Sequence, residues 1–173
     1  MIGLTLLKQT VELQHKKLPG DILSNMQKEI FSFLQRGSSD GMDISLCSID
    51  FEKNVLSFAG AMMRMLMVRD GVITEIRGDR HSISRNTSFD ATFSTHHIPY
   101  KKGDAFYIFT DGYIDQFGGE KNKKFMFRRF EKMLLDLHHL PMWEQKSKIE
   151  SIHKSWRGDQ EQVDDILVIG FKL

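Results

Sequence analysis

The spacing of apolar residues changes twice along this chain, and those changes restrict the folds open to it. Over residues 2 to 16, Ile2, Leu6, Leu7, Val11 and Leu13 fall at roughly helical intervals. Pro19-Gly20-Asp21 then interrupts the pattern, and Ile22, Leu23, Met26, Ile30, Phe33 and Leu34 form a second helical face with Asp21 as the expected N-cap. Gly37-Ser38-Ser39-Asp40-Gly41 reads as a loop. From Ile44 to about residue 109 the period falls towards two, which is the signature of strands.

That middle region reads as a meander. Ile44 to Ile49 and Val55 to Ala59 flank a hairpin at residues 50 to 54. Met63 to Val68 and Val72 to Ile76 flank Arg69-Asp70-Gly71, where Asp-Gly signals a tight turn. Residues 79 to 90 are polar and irregular, and Phe93 to Ile98 and Ala105 to Phe109 complete the strands. Helical spacing returns in Phe127, Phe130, Met133, Leu134 and Leu137. Pro141 opens a last helix whose inner side is expected to carry Trp143, Ile149, Ile152 and Trp156, and Ile166 to Phe171 forms the final strand. Helices, then strands, then helices and one strand is the segregated order of an α+β sandwich rather than an alternating α/β fold. At 173 residues the chain is expected to form a single domain over 1–173.

Composition excludes several classes of function. With 24 Lys and Arg against 23 Asp and Glu, a net charge of +1 gives no electrostatic reason to expect nucleic acid or an anionic membrane as a partner. The basic stretches Lys121-Asn122-Lys123-Lys124 and Arg128-Arg129 read as a solvated face. The single cysteine, Cys47, excludes an internal disulfide and a cysteine-based zinc site, and fits a buried thiol in a reducing, cytoplasmic setting. No apolar run reaches membrane-spanning length, and the first residues lack the basic flank and cleavage site of a signal peptide.

Chemistry concentrates at two junctions. The apolar run Ala105 to Phe109 stops at Thr110-Asp111-Gly112, and Asp164-Asp165 stands directly before Ile166-Leu167-Val168-Ile169. If these strands are antiparallel neighbours, the exit of one and the entrance of the other share a sheet edge, and the carboxylates of Asp111, Asp164 and Asp165 converge. Oxygen ligands on rigid strand ends suit a hard cation such as Mg²⁺ or Mn²⁺, and Gly112 lets the backbone turn tightly beside it. The competing reading is that Asp simply punctuates turns. The seven histidines show no metal-ligand spacing, and no serine-nucleophile elbow, phosphate-binding loop or dinucleotide fingerprint is present. The methionines at positions 62, 63, 65 and 67 read as packing residues.

The stretches GMDISLCSID, LSFAGA with VRDGVITEI, KKGDAFYIFTDGYIDQFGG and EQVDDILVIGF occur in that order. In them the chain resembles the SpoIIE-like branch of metal-dependent (PPM, protein phosphatase 2C-like) serine/threonine phosphatases. The resemblance implies an α-β-β-α sandwich of antiparallel sheets flanked by helices. It implies two Mn²⁺ or Mg²⁺ ions that hold the water attacking a phosphoserine or phosphothreonine. Asp111 matches the metal ligand of the family's Asp-Gly motif. Asp164 matches the first acid of its C-terminal metal motif, with Asp165 beside it, and Gly112 contributes through its backbone.

The family's first metal ligands, in a Gly-Asp segment and an Asp-x-x-Gly-His-Gly motif, have no counterpart here. The first helix also begins without a capping residue. The expectation is therefore a domain lacking its N-terminal strands, which holds at most one weakly bound ion and has little or no activity alone. By the same resemblance the partner is a phosphorylated regulatory protein of the anti-anti-sigma kind, with a sensor or receiver domain upstream. An uncovered sheet edge would favour a homodimer. The alternative is a non-catalytic partner-binding module with a degenerate phosphatase fold.

Overall fold

The computed structural model describes residues 2–13, 18–33 and 41–173. The chain divides into two compact units, Met1–Met65 with Ile76–Lys101, and Leu66–Glu75 with Lys102–Leu173.

In the first unit, helix α1 (Ile2–Lys8) runs into a π-helical turn at Gln9–Leu13, and α2 spans Pro19–Phe33. Residues 14–16 of the expected first helix, Leu34 and most of the 37–41 loop lie outside the described residues. Helix α2 starts at Pro19, three residues earlier than the apolar pattern suggests, so Asp21 sits in the first turn rather than at the cap. Proline has no N–H to leave unsatisfied at a helix start, and the Gly20 amide donates to Thr95 Oγ1 at 2.9 Å.

Two small sheets complete this unit. Strands β1 (Gly41–Met42) and β6 (Ile83–Ser84) pair with each other. β2 (Ile44–Asp50), β3 (Val55–Ala61) and β7 (His96–Pro99) form an antiparallel sheet in the order β2-β3-β7. The hairpin between β2 and β3 falls where the sequence placed it, and Asp50 Oδ1 accepts the Glu52 and Lys53 amides at 3.1 and 2.9 Å. The expected strand from Phe93 is shortened to His96–Pro99, because side chains distant in sequence claim its first residues. Phe93 is buried with Leu6, Leu23, Met26 and Ala59, and its amide donates to Ser24 Oγ at 2.9 Å. Gln27, fully buried, organises the irregular segment after β6. Its amide nitrogen donates to the carbonyls of Ser84, Thr87 and Ser88, and its oxygen accepts the Ser84 amide. Cys47 is half-buried, and burial pushes its thiol up to about 11.

The second unit is built on a four-stranded sheet ordered β11-β8-β4-β5, from β4 (Arg64–Arg69), β5 (Val72–Arg77), β8 (Ala105–Phe109) and β11 (Val168–Lys172). Asp70 and Gly71, with φ of 50° and 74°, make the left-handed turn that the Asp-Gly pair signals. Strand β8 runs over the residues its apolar run predicts. Three helices follow: α3 (Gly112–Asp115), α4 (Phe127–Leu137) and α5 (Met142–Arg157). A short hairpin, β9 (Phe117–Gly118) with β10 (Lys123–Lys124), lies between α3 and α4. Tyr107, Phe109, Tyr113, Phe125, Phe130, Leu134 and Ile149 belong to the core of this unit.

One expected core residue is misplaced. Trp143 is 71% exposed, whereas Gln145 is 1% exposed. Gln145, Ile149, Ile152 and Trp156 follow the 4-3-4 spacing of one helix face, and Trp143 lies off it. Gln145 is tolerated inside because it is satisfied. It accepts the Tyr107 hydroxyl at 2.7 Å and donates to Leu140 O at 2.8 Å. Among the described residues, no helix is long and apolar enough to cross a membrane.

Candidate metal centre

Strands β8 and β11 pair antiparallel, with Phe109 opposite Val168 and Ala105 opposite Lys172. The end of β8 and the start of β11 therefore lie on one sheet edge. Thr110 fastens them. Its amide donates to Leu167 O at 3.0 Å, its hydroxyl donates to Asp165 O at 2.9 Å, and the Leu167 amide donates to that hydroxyl at 2.9 Å. These bonds hold Ile166 and Leu167 out of the strand, so β11 begins at Val168 rather than at Ile166. A threonine directly before the Asp was the available signal for this clamp, since a β-branched hydroxyl at a strand end both donates and accepts.

The backbones also meet at Gly112. A Cβ on that residue would stand 2.4 Å from Asp165 O and 3.0 Å from Asp165 C, so only glycine allows this approach. Asp111 precedes α3 with its carbonyl accepting the Asp115 amide at 2.9 Å, and its side chain makes no capping bond.

Asp111, Asp164 and Asp165 are all exposed. Asp164 Oδ1 accepts the Asp165 amide at 2.7 Å. Among the described residues, the carboxylates of Asp111 and Asp165 have neither a hydrogen bond nor an ion pair. Other carboxylates are committed elsewhere. Asp115 pairs with Lys124 Nζ at 2.9 Å, and Asp43 accepts the Ser82 hydroxyl at 2.5 Å. Asp40 lies outside the described residues.

Oxygen donors on a fixed edge match a hard divalent cation in kind. They do not match in number. Among the described residues, no group of three or more His, Cys, Asp or Glu side chains could hold a metal ion. No hydrolytic step is therefore assigned to these residues by themselves.

Comparison with known proteins agrees with the architecture. The family model described as Stage II sporulation protein E (SpoIIE) matches residues 2–173. No curated protein sequence matches. Among solved structures, the SiaA-PP2C domain of Pseudomonas aeruginosa is similar at 29% identity and a TM-score of 0.90, over 100% of this chain and 68% of that one. The phosphatase domain of the cell fate determinant SpoIIE from Bacillus subtilis, presoaked with Mn, is similar at 14% identity and a TM-score of 0.59, over 98% of this chain and 72% of that one. The serine/threonine phosphatase PstP/Ppp of Mycobacterium tuberculosis is similar at 13% identity and a TM-score of 0.63, over 98% of this chain and 80% of that one. The last two likenesses concern the fold. The chain thus carries an α+β, PP2C-type phosphatase fold and belongs to the SpoIIE family.

Proposed function

We propose that this chain serves a metal-dependent protein serine/threonine phosphatase, and that Asp111, Asp164 and Asp165 are among the ligands of its Mn²⁺ or Mg²⁺ centre. The observation that carries the reading is the clamped edge. Thr110 and Gly112 bring the two acidic junctions into backbone contact, and two of the three carboxylates have no partner among the described residues. A cation bound at this edge would stabilise the folded chain by mass action.

A divalent ion in such a centre acidifies a water and stabilises charge on the phosphoryl oxygens. The chain's own residues supply orientation: Thr110 fixes the edge, and Gly112 keeps it narrow. Further donors are needed beyond those the described residues furnish, so activity of these residues alone should be very low. The proposed substrate is a phosphorylated regulatory protein in the cytoplasm, read together with a sensor or receiver domain.

A second reading, a non-catalytic module that binds a partner, is favoured by the lack of a three-donor group among the described residues. Hydrolysis of p-nitrophenyl phosphate with and without Mn²⁺ separates the two. The phosphatase reading expects low turnover above background that requires Mn²⁺ and disappears in Asp111→Asn. Strong turnover that is indifferent to Mn²⁺ and to Asp111→Asn would overturn it. Absence of both turnover and Mn²⁺ binding would favour the partner-binding module.

A further inference from the structure

The basic residues at 121–129 are largely exposed, and some of them also line a cavity. A cavity of about 880 Å³ opens between the β9–β10 hairpin and helices α4 and α5. Lys121, Lys123, Arg129, Ser151, Ser155 and Trp156 contribute to its lining. Lys124 is used by Asp115, but among the described residues Lys121, Lys123 and Arg129 have no ion pair. One carboxylate, Glu120, also lines the cavity, so cations outnumber acids there.

Arg129 is held in place rather than free. Its guanidinium carbon stands 4.4 Å from the Trp156 ring centre. Trp156 is fixed in turn. Its indole N–H donates to Gln116 O at 3.0 Å, its carbonyl accepts the Gly119 amide at 2.8 Å, and Phe125 meets its ring edge-on at 5.4 Å. A guanidinium stacked by its face keeps its N–H edge available for a two-point contact with an oxyanion. Two lysines and two serine hydroxyls stand around the same space. A phosphate monoester, dianionic and rich in acceptors, matches that set in charge and in hydrogen-bonding capacity.

We propose that this cavity binds the phosphate of a phosphorylated serine or threonine segment, at a site separate from the Asp111 edge. The inference does not rest on the phosphatase reading, because binding is measured without turnover. The test uses the full chain in EDTA, so that no metal at the acidic edge contributes. In a Trp143→Phe background, Trp156 is the remaining tryptophan and reports on the cavity by fluorescence. The probes are a phosphoserine peptide with neutral flanks, the same peptide unphosphorylated, and inorganic phosphate.

The expected result is a saturable change with the phosphopeptide that is weakened roughly tenfold or more by Arg129→Gln. Similar weakening is expected from the Lys121→Gln/Lys123→Gln pair, whose exposed side chains leave the core untouched. Circular dichroism melts matching the parent would show that the variants fold. A missing response, equal binding of the unphosphorylated peptide, or affinity unchanged in both variants would overturn the proposal. Inorganic phosphate binding as tightly as the phosphopeptide would overturn the segment as occupant and leave a free-ion site.

Discussion

Strand β8 carries an aspartate beyond each end, and the two have opposite fates. Asp104, before Ala105, is 3% exposed and receives Arg69 in a two-point contact, with Nε at 3.0 and 3.1 Å and Nη2 at 2.5 Å. Asp111, beyond Phe109, is exposed, and its carboxylate has no partner among the described residues. A carboxylate that punctuates a turn for structural reasons is satisfied by the protein. Asp111, a proposed ligand, instead has its carboxylate open and the backbone beside it fixed, which distinguishes it from Asp104.

The comparison can be broken first at its structural end. Arg69→Met would leave the Asp104 carboxylate buried without its guanidinium, and should cost about 3 kcal/mol in denaturant unfolding. Asp111→Asn should change stability by less than about 0.5 kcal/mol, and in the stabilising direction if mutual repulsion at the edge matters. Comparable losses in the two variants would mean that Asp111 is also a structural acid.

Gly112→Ala comes next. Its new methyl would meet Asp165 O, so the junctions must separate, at about 2 kcal/mol. Any metal affinity should fall with it, although no ligand is removed. Thr110→Val retains the shape but loses both hydroxyl bonds and leaves the Leu167 amide without its acceptor, at about 1 kcal/mol. If Thr110→Val melts like the parent, the clamp is not what holds the edge.

The centre of the same strand sharpens the contrast between open and satisfied groups. Burial pushes the Tyr107 hydroxyl up to about 12. An acid whose folded value is raised contributes stability that is present below its unfolded value near 10. That stability is lost as pH rises through the folded value. Thermal melts should therefore fall between about pH 10 and 12, and Tyr107→Phe should flatten that part of the profile.

Much of this was readable from residues alone. The period changes gave the α+β class. The apolar run Ala105 to Phe109 gave β8, and its antiparallel pairing with β11, posed from the sequence only as a condition, is the one observed. The failures share a cause, the satisfaction of polar groups by distant partners. Gln145 displaced Trp143 from the core because Tyr107 and Leu140 satisfy its amide. Phe93 left its strand because Ser24 and the helix core claim it. Two-residue pairs such as β9 with β10 carry too little pattern to be seen. Arg129 was indistinguishable from a solvated cation until Trp156 was placed beneath it.

The most direct test of the open edge is a calorimetric titration of the full chain with Mn²⁺, repeated on Asp111→Asn and on Asp165→Asn. Weak binding, with a dissociation constant on the order of 10⁻⁴ to 10⁻³ M as for sites with few protein ligands, is expected in the parent and should be lost in both variants. Binding that survives both substitutions, or none in the parent, would contradict the assignment of these carboxylates as metal ligands and return them to the role of turn residues.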